Sequence, residues 1–357
     1  MKILLLGDFS SLHKYLKDGL VILGHNVTIA ASGDGFKKIS CNYNLKSSKS
    51  GLLGKIDSKV RELRIVLQSC NYDVVQIVNP GMFTEKFYLN YILYSFLFKR
   101  CKKVFLVGAG ATSSNTYLAN FFQENYKYPQ FYEKIRNGKD LYSQTQAGIK
   151  FHNWLHERIT GYIPIMYEYA EPYRLAGYKR LCPTIPIPIN LDEVKYQPNV
   201  VRDKIVIFHG LNRPLVKGTP IIQEAFEKLQ KDYPNDVETV IDGKMPLKDY
   251  LELMKRTNVT IDQTYCVSSG VNGLLSMAMG KVTLGGGEPE ALKEFGVSNC
   301  PMIPIKPDSN DIYDRLVEII KRKNEIPVIG EKSRKYIEEV HDYVKIAQKY
   351  VDIWSSY

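Results

Sequence analysis

Two basic residues stand where an apolar strand pattern gives way to a helical one near the middle of the chain. Arg213 and Lys217 follow the strand pattern Lys204–His209 and precede the helical pattern Ile221–Leu229. A helix start presents free amide groups and the positive end of its dipole, and phosphate groups commonly bind there. An arginine fork holds two oxygens, while a lysine adds a point charge. The arrangement predicts a diphosphate-binding turn, with a solvated basic loop as the alternative.

The residues flanking the two cations complete this predicted turn. Thr219 is the expected N-cap of the helix, and Pro220 suits its first turn. His209, Gly210 and Gly218 lie at the strand end and the helix start, so we expect them to contact the ligand together with Thr219. His209 has an alternative role as a cap of the strand end.

A second turn of similar chemistry follows the predicted strand Val259–Asp262. It leads into the helical pattern Val271–Met279, which again offers free amides to an anion. The residues predicted to bind the ligand here are Tyr265, Ser268, Ser269 and Gly270. Further along, Gly285–Gly287 would let a ligand approach the backbone, and Glu288 would accept hydrogen bonds from sugar hydroxyls. A plain turn is the alternative for the glycines.

Strand and helix patterns alternate through both halves of the chain. Strands are predicted over 2–6, 27–31, 73–78 and 103–107, then over 204–209, 237–241, 259–262, 282–284 and 302–305. Helices are predicted over 13–23, 56–70, 85–98, 146–158 and 168–176, then over 220–230, 247–256, 271–279, 290–295 and 331–354. This order predicts two doubly wound parallel sheets in series. The prolines of Pro183–Pro198 favour an extended linker between them, and the aperiodic segment Ser113–Gln144 is expected to shape a substrate site.

Composition restricts the class of protein. A chain of 357 residues indicates two domains, and its net charge of +10 permits nucleic acid, anionic lipid or phosphorylated small molecules as partners. No nucleic-acid-binding motif accompanies the charge, so nucleic acid is not an expected partner. The six cysteines are scattered without metal-ligand spacing, which predicts no disulfide framework and no metal site. Met1–Gly7 is predicted to be a first strand rather than a signal peptide, and a reducing cytoplasm fits the chain.

One predicted helix has the character of a membrane-surface segment. The pattern Lys86–Phe98 is rich in aromatic residues, and four cations follow it directly: Lys99, Arg100, Lys102 and Lys103. Aromatic and basic residues together suit the surface of an anionic membrane. The alternative is a crossover helix whose cations interact with its C-terminal dipole.

Neither glycine-containing turn of the first half carries a dinucleotide fingerprint. The turn Gly7–His13 lacks the second and third glycines, and Val107–Ser113 lacks the last one. A nicotinamide cofactor is therefore not expected. The arrangement instead favours an enzyme in which one domain holds a nucleotide and the other an acceptor.

The motifs together resemble a known family. The donor-half motifs are His209-x3-Arg213-x3-Lys217-Gly218-Thr219, Asp262-Gln263 and Met277–Val282. The acceptor-half motifs are Gly7-Asp8-x-Ser10, His13, Gly19-Leu20, Gly24-His25-x-Val27 and Ser32–Gly35. In these residues the chain resembles GT-B glycosyltransferases of the family 4 type, as found in bacterial cell-surface polysaccharide synthesis.

The resemblance implies a specific architecture and activity. The fold class is α/β, GT-B: two Rossmann-like domains, 1–185 for the acceptor and 204–335 for the nucleotide sugar, face a cleft across the linker 186–203, and a helix in 336–357 crosses back to the first domain. Arg213 and Lys217 would bind the donor diphosphate and neutralise its developing charge, without a metal and with no cofactor besides the nucleotide-sugar donor. Asp8 and His13 would orient or deprotonate the acceptor hydroxyl, with a structural histidine as the alternative for His13.

The implied function is transfer of a hexose to a saccharide or lipid-linked acceptor, in capsule, O-antigen or other surface polysaccharide synthesis. The expected location is the cytoplasm, peripherally on the inner face of the membrane. One departure matters: Val267 and Leu275 stand where the family carries two glutamates that hold the donor. Ser268, Ser269, Glu288 and Glu290 are candidates to replace them. A catalytically silent subunit that binds nucleotide or a partner is the main alternative, and a nucleotide-sugar epimerase is a further one.

Overall fold

The computed structural model describes residues 1–33, 39–110, 116–136, 145–211, 213–243, 245 and 247–357. Asn212, the two ends of Ser113–Gln144 (113–115 and 137–144) and parts of the motifs Ser32–Gly35 and Val107–Ser113 lie outside these residues. The chain forms two compact units. The first unit comprises Met1–Phe121, Asp140–Asn190 and Tyr343–Tyr357, and the second comprises Phe122–Lys139 and Leu191–Asp342.

A parallel six-stranded sheet forms the centre of the first unit. Its strands are β1 (Lys2–Leu6), β2 (Asn26–Ala31), β3 (Tyr43–Asn44), β4 (Val74–Ile77), β5 (Val104–Gly108) and β6 (Gly161–Pro164), in the spatial order β3-β2-β1-β4-β5-β6. Strand β1 lies between β2 and β4, and its residues Ile3–Leu6 are buried on both faces. A continuous apolar run is what a strand covered on both sides requires.

Helices cover this sheet, and one of them comes from the end of the chain. The helices of the first unit are α1 (Leu12–Ile22), α2 (Gly51–Leu67), α3 (Leu89–Arg100), α4 (Thr116–Asn120), α6 (Gln146–His156), α7 (Tyr167–Leu175) and α15 (Tyr343–Ser356). Helix α15 packs on α1, where Gly19 leaves room for the backbone at Tyr343. Tyr350 and Trp354 of α15 are fully buried in the core of the first unit. The predicted return of a C-terminal helix to the first domain is confirmed.

The second unit contains a smaller parallel sheet. Its strands are β7 (Ile205–Gly210), β8 (Val237–Asp242), β9 (Val259–Ile261) and β10 (Val282–Leu284), in the order β10-β9-β7-β8. Its helices are α5 (Gln130–Arg136), α8 (Pro214–Lys217), α9 (Thr219–Asp232), α10 (Leu247–Arg256), α11 (Val271–Ala278), α12 (Pro289–Phe295), α13 (Ser309–Lys321) and α14 (Ile326–Val340). Helix α9 buries Ile222, Ala225, Phe226 and Leu229 on one face, as its periodicity predicts.

Several local predictions need correction. Gly218, in a left-handed conformation, is the N-cap of α9, so Thr219 is its first residue and not its cap. The predicted strand 302–305 is reduced to one bridge between Leu284 and Ile303. The predicted final helix is two helices, α14 and α15, because the helical backbone ends at Val340. Strands β3 and β6 and helix α13 were not predicted, since the first two are short and α13 follows a proline-rich stretch.

The boundaries of the two units do not follow a single division of the sequence. Phe122–Lys139 packs with the second unit, although its neighbours in sequence on both sides belong to the first. The sequence gives a continuous domain over 1–185, because an excursion of this kind leaves no trace in local periodicity. No helix among the described residues is long and apolar enough to cross a membrane.

Candidate functional site

The two turns singled out by the sequence lie side by side in the second unit. Strands β7, β9 and β10 are parallel and adjacent, so the turns that follow them meet at one edge of the sheet. The backbone N–H of Thr264, in the turn after β9, donates to the carbonyl of Lys217, in the turn after β7, at 3.3 Å. Ligands of open α/β sheets bind at this carboxyl edge.

Arg213 combines a strained backbone with an exposed side chain. It has φ 54° and ψ 64°, in the left-handed region, and is the N-cap of α8. Its guanidinium makes no ion pair with any residue that the structure describes. Non-glycine residues in this conformation are uncommon and concentrate at functional sites. Arg213 is thus a cation available to a ligand beside the end of β7.

Lys217 is placed differently from the exposed cation that the sequence suggested. Its Nζ lies 3.2 Å from Oδ1 of Asp262, and the two side chains are only 9% and 2% exposed. The other carboxylate oxygen of Asp262 accepts the backbone N–H of Gly270 at 2.9 Å. The buried pair therefore connects the turn after β7 to the start of α11. Asp262 also neutralises part of the positive charge that was predicted to bind the diphosphate.

His209 is occupied on both ring nitrogens. Its Nδ1 lies 2.9 Å from the carbonyl oxygen of Ile261, and its Nε2 lies 2.8 Å from the hydroxyl of Thr219. The carbonyl only accepts, so Nδ1 carries the proton and Nε2 accepts from Thr219. Burial lowers the pKa of His209 to about 4, which keeps the ring neutral. This geometry fits the alternative in which His209 caps the strand end, and it also occupies the Thr219 hydroxyl.

A small pocket lies beside these groups within the second unit. It is lined by Gly210, Lys217, Asp262, Asn272 and Gly273, among others. Helix α11 begins at Val271, and its first amides have no acceptor within the helix. The pocket therefore joins a helix start to a buried lysine, and exposed Arg213 lies three residues beyond Gly210. Such a combination can bind an anion such as a phosphate.

The glycines after β10 serve contact between turns. A Cβ on Gly286 would lie 2.7 Å from both the carbonyl carbon of Ser268 and the amide nitrogen of Ser269. A Cβ on Gly285 would lie 2.6 Å from the carbonyl oxygen of Gln263. The close approach that these glycines permit is therefore between two turns of the protein. Ser269 Oγ lies 3.2 Å from the carbonyl of its neighbour Gly270.

Glu288 is buried, and both of its carboxylate oxygens are bonded. Tyr128 donates its hydroxyl to Oε1 at 2.5 Å, and Lys127 pairs with Oε2. Tyr265, also predicted to bind ligand, lies under the ammonium of Lys134 at 4.9 Å from the ring centre. These partners come from the segment 122–136, which the sequence marks only as aromatic and aperiodic. Nothing in local pattern connects that segment to Glu288.

In the first unit, Asp8 and His13 interact with the chain around them. The two oxygens of Asp8 accept the backbone N–H groups of His13 and Lys14 at 3.0 and 3.1 Å, which caps α1. His13 donates from Nδ1 to the carbonyl of Gly7 at 2.6 Å and accepts at Nε2 from Gln76 at 3.2 Å. Burial lowers its pKa to about 4. These contacts fit the alternative in which His13 is a structural histidine.

The aromatic helix is a crossover helix on its inner face. Helix α3 buries Asn90, Leu93, Tyr94 and Leu97. Lys99 and Arg100 are exposed at its end, whereas Lys103 donates to the carbonyl of Trp354 at 2.9 Å. The cluster of four cations is therefore divided between the surface and the packing of α15.

Comparison with known proteins gives a fold and no sequence family. No protein-family model matches the chain, and no curated protein matches it by sequence. The structure is similar to Anabaena HepE in complex with UDP and glucose (14% identity, TM-score 0.63, all of both chains). It is also similar to the sucrose-phosphate synthase of Thermosynechococcus elongatus (13%, 0.64, 100% and 99% of the two chains). A UDP-GlcNAc 2-epimerase from Neisseria meningitidis matches at 13% identity and TM-score 0.53 over all of both chains. The chain has the GT-B fold, which confirms the predicted fold class.

Proposed function

We propose that the protein is a glycosyltransferase that transfers a hexose from a nucleoside diphosphate donor to a saccharide or lipid-linked acceptor. The second unit binds the donor, and the first unit binds the acceptor. The observation that carries the proposal is the carboxyl edge of the second sheet, where buried Lys217 shares a pocket with the start of α11 and exposed Arg213 begins the short helix that ends at Lys217. Neighbours of the same fold are named as complexes with UDP or UDP-glucose, which supports a nucleotide donor.

The chemistry required of this edge is stabilisation of the leaving diphosphate. Arg213 contributes two parallel N–H donors, and Lys217 has two further N–H groups besides the one directed at Asp262. The free amides of α11 add fixed dipoles that need no reorganisation during the reaction. We propose that these groups act without a metal ion and that the donor is the only co-substrate.

The first prediction concerns Arg213. Replacing it with Ala should weaken binding of UDP about tenfold or more, since a charge-assisted hydrogen bond contributes roughly 1.5–3 kcal/mol. Calorimetric titration measures the effect. Arg256→Ala is the matched control, because Arg256 pairs with Glu238 on the exposed surface of the same unit. Equal UDP affinity in wild type and Arg213→Ala would contradict the donor assignment.

A silent nucleotide-binding subunit is the second candidate, and two observations favour it. The chain lacks carboxylates at Val267 and Leu275, and the carboxylate of Glu288 is already bonded to Lys127 and Tyr128. Incubation of the protein with UDP-sugars and oligosaccharide or lipid-linked acceptors, without metal, separates the candidates. Transfer supports the enzyme, binding without turnover supports the subunit, and an epimerised donor formed without acceptor supports the epimerase.

We further propose that the first unit, which binds the acceptor, attaches to the surface of an anionic membrane. One stripe of α2 is exposed at alternating steps of three and four residues, each side chain being between 40% and 71% exposed: Leu53, Ile56, Val60, Leu63 and Leu67. Half of the exposed large apolar side chains of the described residues lie between positions 52 and 96, and α3 adds exposed Lys99 and Arg100 nearby. An apolar stripe with flanking cations suits peripheral attachment at a cytoplasmic membrane face, where surface polysaccharides are assembled on lipid carriers.

Flotation with vesicles tests the membrane surface. Ile56→Gln combined with Val60→Gln should abolish most flotation with anionic vesicles, and Lys99→Gln with Arg100→Gln should make the remaining binding less dependent on salt. Val328→Gln is the control, because Val328 is similarly exposed on the second unit. Flotation of the α2 variant at the wild-type level would exclude α2 as the attachment surface.

A further inference from the structure

A segment inserted in the sequence of the first unit is built into the candidate donor site of the second. After Phe121 the chain joins the second unit, where it forms the end of the π-helical segment Phe121–Asn125 and helix α5. The rings of Phe122, Tyr126 and Phe131 contact one another with centroids 4.9 to 6.0 Å apart, and all three are buried. A buried aromatic cluster of this kind holds the segment firmly in place.

Tyr126 fixes the turn that follows β9. Its hydroxyl accepts the backbone N–H of Val267 at 3.1 Å and lies 3.4 Å from the carbonyl of Tyr265, to which it donates. The phenol thus joins two backbone groups, two residues apart, in the turn predicted to contact the donor. Both groups are buried and need a partner, because an unpaired buried polar group is costly.

Lys127 and Tyr128 fix the turn that follows β10. Together they occupy both oxygens of Glu288, whose own backbone N–H donates to the carbonyl of Val267 at 3.1 Å. The ammonium of Lys127 supplies the positive charge that a buried carboxylate requires. Three consecutive residues, Tyr126–Tyr128, therefore connect the turns after β9 and β10.

We propose that Tyr126, Lys127 and Tyr128 are positioning residues for the donor sugar. The inference rests on the proposed function and adds residues to it. They act through Val267 and Glu288, which lie on the turns after β9 and β10. These two residues lie beside the groups proposed to bind the diphosphate and are not among them. Val267 stands where the family resemblance expects a carboxylate, so the inserted segment orders the turn that this chain leaves without one. Preorganised groups contribute to sugar transfer only if they are held in place before the donor binds.

Conservative variants test the role of the two tyrosines. Tyr126→Phe and Tyr128→Phe keep the rings but remove the hydroxyls, so the aromatic packing survives. We expect UDP affinity to stay within about twofold of wild type, whereas kcat/KM for the best UDP-sugar falls roughly tenfold or more. Tyr313→Phe is the matched control, since its hydroxyl donates to exposed Asp232 at 2.8 Å on the same unit.

Lys127 allows a charge-specific test. The ratio of the dissociation constants of UDP and of the UDP-sugar measures how much the sugar adds to affinity, even in a protein without turnover. Lys127→Met should lower this ratio. Lys127→Arg should restore most of it, because the positive charge beside Glu288 is kept.

Three results would overturn the inference. Equal losses for UDP and UDP-sugar would mean that the segment only stabilises the fold. Tighter donor binding in the tyrosine variants would mean that the segment obstructs the site. Unchanged behaviour of all variants would mean that the segment has no part in donor binding. A wild-type protein that binds neither UDP nor any UDP-sugar would instead refute the proposed function and, with it, this inference.

Discussion

His13, in the first turn of α1, and His209, near the end of β7, flank the strand-to-helix turns of the two units. Each donates from Nδ1 to a backbone carbonyl, of Gly7 or Ile261, and each is neutral because burial lowers its pKa to about 4. The charged groups around them differ. In the first unit Asp8 caps α1, so the chain itself supplies the anion at that helix start. In the second unit the turn carries Arg213 and Lys217 instead.

The comparison shows that the connection after a central strand can carry an anionic side chain in one unit and cationic side chains in the other. A helix start that is already capped by a carboxylate has little to offer a phosphate. In the second unit a carboxylate, that of Asp262, also meets a helix start through the N–H of Gly270, but Lys217 pairs with that carboxylate. The exposed Arg213 therefore leaves this turn the capacity to bind an anion. The second unit is therefore the stronger candidate for the nucleotide, and the predictions below change the groups that make the two turns different.

The largest expected effect comes from breaking the buried pair of the second unit. Lys217→Met leaves the carboxylate of Asp262 buried without a countercharge, which should lower the free energy of unfolding by roughly 3–5 kcal/mol. Urea denaturation measures the loss, and Lys217→Met with Asp262→Asn should recover part of it. Lys255→Met is the control, because Lys255 pairs with Glu252 on the exposed surface. A loss equal to that of the control would show that the pair is not effectively buried.

The second effect is a shared loss of stability in acid. Burial lowers the pKa of His13 and of His209 from 6.5 to about 4. Below pH 6.5, the pKa of a histidine in the unfolded chain, the unfolded chain binds more protons than the folded one. The free energy of unfolding therefore falls between pH 6.5 and pH 4, and these histidines do not affect it above pH 6.5. Each shift corresponds to roughly 3 kcal/mol. Denaturation as a function of pH should give a shallower slope for His13→Gln and for His209→Gln, and a slope identical to wild type in either would refute the assignment for that histidine.

A smaller effect is expected from the cap of the first unit. Asp8→Ala removes the acceptor of the His13 and Lys14 amides, which should cost about 1–2 kcal/mol of stability. Asp8→Asn should cost less, since an amide oxygen still caps the helix. Neither change should alter UDP affinity if the nucleotide belongs to the second unit, and calorimetry of both variants checks this. Weaker UDP binding in both variants would show that the turn of the first unit also contributes to nucleotide binding.

The smallest effect separates stability from binding at Arg213. A left-handed backbone costs a side-chain-bearing residue roughly 1–2 kcal/mol, and the extra freedom of an unfolded glycine offsets about 0.5–1 of it. Arg213→Gly should therefore stabilise the protein by less than about 1 kcal/mol while it weakens UDP binding as much as Arg213→Ala does. Thermal unfolding with and without UDP measures both. A variant that is less stable in the absence of UDP would show that the strain is compensated within the fold.

Much of the fold could be predicted because the signals are local. The apolar run of β1 and the one-sided pattern of α9 each follow from a short window of sequence. Short elements such as β3 (Tyr43–Asn44) carry too few residues for a pattern. The N-cap of α9 was misplaced because the usual preference for threonine was outweighed by the bond from Thr219 to His209.

The candidate site could be predicted only in part. The sequence placed Arg213 and Lys217 correctly in one turn, because both follow directly from the end of β7. It did not show that Lys217 pairs with Asp262, 45 residues away, or that Glu288 pairs with Lys127, 161 residues away. Whether a polar side chain is free for a ligand depends on every group that folding brings near it.

The sequence by itself determined the alternation of strands and helices, the positions of the strand-to-helix turns and the types of residue in them. These properties depend on backbone preferences and on side-chain periodicity over a few residues. Tertiary structure decided which of those residues remain available to a ligand and which segment supports them. Buried charges and hydrogen-bonding groups must find partners wherever the fold supplies them, and Tyr126–Tyr128 reach the second unit from an insertion in the first.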